Sequence, residues 1–161
     1  MFIVNHPYII SAQETFVTLY GNPFFLVILT LYLSIATYTD MKTMKIPDKL
    51  NGFFFVVRLV LIPFIGFGLA DVAGALFAFV VLMIPAMIKM HKMGGDIKCI
   101  TVVGLYVGIY LAPLFLILTC VYFILYAGLS AVARKKMKNV PFAPFFLVSH
   151  LTLMALYFAI I

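Results

Sequence analysis

The sequence predicts an all-α integral membrane protein with six transmembrane helices, both termini outside and three basic loops in the cytoplasm. Three observations carry that prediction. Of 161 residues, 66% are apolar and only 10% are charged, against roughly 45–50% and ~25% in soluble domains. The mean hydropathy is +1.21. Ten of the eleven Lys and Arg residues fall in three alternate connections between apolar stretches. A soluble globule is excluded. Six spans of about 20 residues use about 120 positions, so residues 1–161 read as a single polytopic domain.

The elements follow in chain order. Residues 1–20 carry no Lys or Arg and so lack the basic start of a secretory signal; they read as an outer, interfacial segment that is not cleaved. Asn22 is an N-cap and Pro23 the first helical position of a span over 23–40 that ends at Asp40. After Ile46-Pro47-Asp48 a second span covers 49–69, and Asp71 caps a third over 71–89, the two forming a hairpin. A fourth covers 97–112; Pro113 marks a tight turn into a fifth over 113–133, and Pro144 opens a sixth over 144–161.

Charge sets the orientation. Lys42, Lys45 and Lys49 lie in the first loop, Lys89, Lys92 and Lys98 in the third, and Arg134, Lys135, Lys136 and Lys138 in the fifth. The positive-inside rule makes that face cytoplasmic. The net charge of +6 therefore reports topology, and no nucleic-acid partner is expected. The partner is the lipid bilayer.

The acidic residues are Glu14, Asp40, Asp48, Asp71 and Asp96, and three of the five lie at the cytoplasmic boundary. Asp40, at the end of the first helix, and Asp96, before the fourth, stand at one depth. Two carboxylates that approach closely share a proton, and the pair can activate water while polarising a carbonyl. From position alone the ordinary reading is a salt bridge or solvation at the interface. The surrounding residues favour the dyad.

The stretch YTDMKTMKIPDKLN, residues 38–51, resembles the first motif of the type IV prepilin peptidases: an Asp at a helix end, then Ile-Pro and usually Asn. MGGDIK, residues 93–98, resembles their second motif, Gly-x-Gly-Asp with a Lys two positions on, and VPFAPFFL, residues 140–147, is similar to the segment that opens their last helix. The resemblance covers residues 24–161 and implies a membrane aspartic peptidase of the A24 type in a prokaryotic plasma membrane. Asp40 and Asp96 are then the catalytic pair, and the bond cleaved lies where the basic leader of a prepilin-like substrate meets its apolar helix. No metal or organic cofactor is implied.

Around that pair, Gly94 and Gly95 are expected to allow positive φ and the approach of a substrate strand, or to form a plain helix-start turn. Lys98 matches the motif. Ile46, Pro47 and Asp48 are motif residues of structural kind, with Asp48, in place of the common Asn, expected to cap the second helix. Met93 departs from the motif, standing where its first Gly belongs. Helix-end electrostatics predicts that Asp40, at a C-terminus, carries the shared proton.

The other candidates have structural readings. Arg58 is expected to snorkel to the interface, Asp71 to cap a helix, and Glu14 to be a solvated charge. Gly104 and Gly108 should admit another helix closely. His6, His91 and His150 show no metal-site spacing, and Cys99 and Cys120 read as small buried groups. The sequence holds no pair of Cys-x-x-Cys motifs, so a second, N-methyltransferase activity is not expected and the chain resembles the short forms that serve tight-adherence pili or archaeal flagellin-like filaments. The rival classes are a small cation carrier or channel, which should place its charges at mid-membrane and show related halves, and an inactive pilus-assembly scaffold.

Overall fold

The computed structural model describes residues 7–89, 94–133 and 140–160. Among the described residues the secondary structure is α-helical throughout: α1 Pro7–Tyr20, α2 Pro23–Thr43, α3 Asp48–Val60, α4 Ile62–Ile65, α5 Leu69–Lys89, α6 Gly94–Val132 and α7 Ala143–Ile160. Three of these, α2, α6 and α7, are long and apolar enough to cross a membrane. Met93, Lys92, His6, His91 and the basic residues of 134–138 lie outside the described residues.

Local chemistry explains the ends of α2. The Asn22 side chain accepts the N–H groups of Phe24 and Phe25, with Pro23 at the first position. At the other end Met44 adopts a left-handed conformation, φ 53°, and its N–H closes on the Asp40 carbonyl. Between them Phe25, Leu29, Tyr32, Leu33 and Ala36 form a buried stripe at helical spacing, and Asp40 continues it. Phe24, Val27, Leu31 and Tyr38 on the other face are exposed. A helix with that much apolar exposure fits lipid rather than water.

The predicted second span is broken. α3 ends at Val60, α4 is one turn, and Gly66 at φ 78° ends it. Pro63 supplies no N–H and restricts the residue before it, so a continuous helix to 69 cannot form. Nor do the second and third predicted helices pack as a hairpin: α5 packs against α6, and α3 against α6 and α2.

The α5–α6 contact is set by glycine. A Cβ on Gly74 would lie 2.4 Å from the Gly108 carbonyl carbon and 2.6 Å from the Gly104 oxygen, so backbone meets backbone there. The predicted close approach at Gly104 and Gly108 is thus made within the chain. Gly108 also breaks α6, with φ 68° and ψ 173°. The turn lies there and not at Pro113, because only glycine adopts that backbone conformation at low cost. Pro113 sits one turn into the second arm (109–132), where few intrahelical bonds are at stake.

The chain reverses at Gly108. Thr119 of the second arm bonds Ser149 at 3.0 Å, and Phe123 stacks on Phe142, beside the start of α7. Ala143, the first residue of α7, bonds Asp40. Both ends of α6 therefore return to the Asp40 end of the bundle. At the opposite end, α1 is pinned to the bundle through Tyr20, whose hydroxyl meets His150 Nδ1 at 3.3 Å, while His150 Nε2 meets Thr30 Oγ1 at 3.0 Å. His150 is wholly buried, a tie between helices.

Candidate active site

Four segments meet at one end of the bundle: the last turn of α2, the extended link 45–47, the start of α6 and the start of α7. Asp40 is 4% exposed. Its Oδ2 accepts the Ala143 N–H at 3.0 Å. That N–H is free to donate because the first amides of a helix have no intrahelical acceptor. Asp96, in the first turn of α6, lies within electrostatic reach of Asp40. The two predicted carboxylates, 56 positions apart in sequence, are brought to the same end of the bundle.

The proton was expected on Asp40 from two helix ends, the carboxyl end of α2 and the amino end of the helix at Asp96, without α7. The amino end of α7 abuts the same carboxylate and opposes the dipole of α2. Of the two, Asp96 is the one whose carboxyl is pushed up, first by burial and then by the nearby charge of Asp40.

An open cavity of about 380 Å³ adjoins Asp96, lined by residues 44–48 with Gly95 and Asp96. Two predicted site features meet in its wall. A Cβ on Gly95 would sit 3.1 Å from the Ile46 oxygen and 3.2 Å from its nitrogen. Gly95 is thus required by the chain's own Ile46-Pro47 link, and Ile46 is buried against it. Neither Gly94 nor Gly95 has positive φ, and Gly94 meets nothing within 4 Å. The expected backbone freedom is not used; the close approach is, by Ile46.

Asp48 does not cap α3. Pro47 occupies the cap position with no side-chain bond, and Asp48 is the first helical residue. Its Oδ2 pairs with Lys98 Nζ at 2.8 Å, with both side chains exposed, 70% and 56%. Lys98 therefore serves Asp48 rather than the dyad, and such an open pair contributes little stability.

Three contributors were not singled out in the sequence. Tyr32 donates to Asn51 Oδ1 at 2.7 Å, and Asn51 Nδ2 reaches the Gly95 carbonyl at 3.5 Å, joining α2, α3 and α6 directly beneath the site. The signal was a buried amide one turn into an apolar helix. Ala143 acts through its backbone, for which Pro141 and Pro144 around it were the only trace.

The far end corrects another expectation. Arg58 does not snorkel: it is 1% exposed. Its Nε donates to the Leu105 carbonyl, Nη1 to the Gly66 carbonyl at 2.8 Å and Nη2 to Asp71 Oδ2 at 3.1 Å. Asp71 also accepts the Gly68 N–H at 2.8 Å, so it caps α5 as expected while neutralising Arg58. Cys99 is buried as expected, whereas Cys120 is exposed on the second arm of α6.

A model of the type IV leader peptidase family matches residues 27–128, a stretch that contains Asp40, Ile46-Pro47 and Asp96. The chain belongs to that family. It is therefore a membrane protein and a protease. No curated protein and no solved structure matches it. The third motif, residues 140–147, lies beyond the matched stretch, yet its Ala143 meets Asp40.

Proposed function

We propose that this leader peptidase is an aspartic endopeptidase that removes the basic leader from type IV prepilins or similar precursors at the cytoplasmic membrane boundary, with Asp40 and Asp96 as its catalytic pair. The observation that carries the reading is that these two carboxylates, from separate helices, lie at one end of the bundle within electrostatic reach of each other, Asp96 lining an open cavity. Asp40 is the base: with Oδ2 held by Ala143, Oδ1 takes a proton from the attacking water. Asp96 is the acid and gives its proton to the carbonyl oxygen. Return of a proton to the amine collapses the tetrahedral intermediate and releases the leader.

Six crossings, with both termini outside, remain our reading of the topology in a prokaryotic plasma membrane. The alternating path of the helices, the reversal at Gly108 and the lysines at the Asp40 end, Lys42, Lys45, Lys49 and Lys98, support it. α3 is short for a crossing, about 20 Å at 1.5 Å per residue, and α4 with the 66–68 link completes that pass. We propose no methyl-transfer activity: Cys99 and Cys120 stand in separate arms of α6 and form no Cys-x-x-Cys pair.

The test is incubation of the purified protein with a prepilin, beside Asp40→Asn and Asp96→Asn. Cleavage by the native protein alone is expected. Cleavage by either variant at the native rate removes that residue from the mechanism, and inert native protein on several prepilins favours an inactive scaffold.

A further inference from the structure

A second cavity of about 380 Å³ adjoins the one beside Asp96, the two having Asp48 in common in their walls. It lies between α3 and α5, which both pack on α6 but scarcely touch each other. Gly52 and Phe55 of α3, Phe79 of α5, and Thr101 and Val102 of α6 form its walls, and the exposed Asp48–Lys98 pair stands at its mouth. The groove thus leads from a polar, charged rim at the site into apolar walls.

Gly52 is the second observation. It lies inside α3, where glycine costs about 0.5–1 kcal/mol against alanine, yet its φ is not positive and a Cβ there would meet nothing within 4 Å. The chain's own packing gives no reason for it. Its effect is to deepen the groove one turn from Asp48. Phe55 and Phe79 are left part-exposed facing that space.

We infer that this α3–α5 groove seats the apolar helix of the precursor that follows the scissile bond, holding the bond at the Asp40–Asp96 end. The inference rests on the peptidase reading above and adds where the substrate lies. Adjacency to the Asp96 cavity, through the shared Asp48 and through Asn51, whose Nδ2 reaches the Gly95 carbonyl, selects this occupant over a free lipid chain or a second copy of the peptidase. The basic leader, on the other side of the bond, then passes out by Asp48, the acidic member of the rim pair.

Photo-cross-linkers placed at Phe55 and Phe79 in an Asp96→Asn background, with one at the lipid-exposed Ile124 as control, test the seat without requiring cleavage. A prepilin should give adducts at Phe55 and Phe79, mapped to its apolar segment, that are absent at Ile124 and lost when that segment is made polar. Adducts spread equally to Ile124, or formed only with lipid or a second peptidase copy, overturn the seat. In parallel, Gly52→Leu fills open space and should raise KM for the whole precursor about tenfold or more, leaving cleavage of a short peptide across the bond unchanged. Equal loss on both substrates, or none, overturns the seat as well. A precursor that cross-links in the groove but is not cut by the native protein supports the seat and removes the peptidase reading; cleavage with no groove adduct does the reverse.

Discussion

The two ends of the bundle each bury charge, and they do so differently. At the far end Arg58 and Asp71 neutralise one another, and each guanidinium nitrogen has an acceptor: the Leu105 and Gly66 carbonyls and Asp71, which also accepts the Gly68 N–H. At the near end two carboxylates lie within electrostatic reach of each other with no cation bonded to either among the described residues; Lys98 is engaged by Asp48. Among the described residues one backbone N–H, from Ala143, meets the Asp40 carboxylate. A saturated pair holds structure, because breaking it strands a buried charge. An unsaturated pair of like groups is costly to fold and has meaning as chemistry.

That contrast can be broken by substitution. The largest expected effect is at the near end: Asp40→Asn or Asp96→Asn should lower prepilin cleavage by about 10³-fold or more, with thermal unfolding in detergent unchanged or improved by relief of the like-charge contact. Next, at the far end, Arg58→Ala should cost about 3–5 kcal/mol of stability, read in the same unfolding assay, while the folded fraction cleaves at the native rate. A loss of activity per folded molecule in Arg58→Ala would erase the distinction between the two ends.

Smaller effects sharpen it. Ala143→Pro removes the N–H that Asp40 accepts at a helix start that tolerates proline; loss of a hydrogen bond to a charged group, about 1.5–3 kcal/mol, should appear as a fall in kcat with little change in KM. Gly95→Ala presses on the Ile46 backbone and should cost about 1 kcal/mol or more, whereas Gly94→Ala, with open space around it, should be silent in both rate and unfolding. Least of all, Lys98→Ala should alter stability by less than about 1 kcal/mol, since both members of its pair are exposed.

Much of this contrast was legible in the sequence at its near end. Asp40 and Asp96 were visible because charges are so scarce in this chain that a carboxylate at a helix end is conspicuous, and because each stands in a motif, at 38–51 and 93–98. The close helix contact at Gly104 and Gly108 followed from the absence of side chains. What stayed hidden depended on distance in three dimensions. Pro63 and Pro113 look alike in sequence, but Pro63 interrupts a helix near its middle while Pro113 falls just after a break that Gly108 makes. Arg58 resembled a snorkelling cation because its partners, the Leu105 and Gly66 carbonyls, are backbone atoms that no residue type announces. For the same reason Ala143, an alanine contributing one amide, left no sign of its bond to Asp40.

The central claim is that Asp40 and Asp96 act as one catalytic unit, and a double-substitution cycle tests it most directly. Rates of prepilin cleavage are measured for the native protein, Asp40→Asn, Asp96→Asn and the variant carrying both. Residues that work as a unit lose their function together, so each single change should reduce cleavage to about the same residual rate and the second change should cost little more. Losses that multiply, or a single variant that retains the native rate, would contradict it.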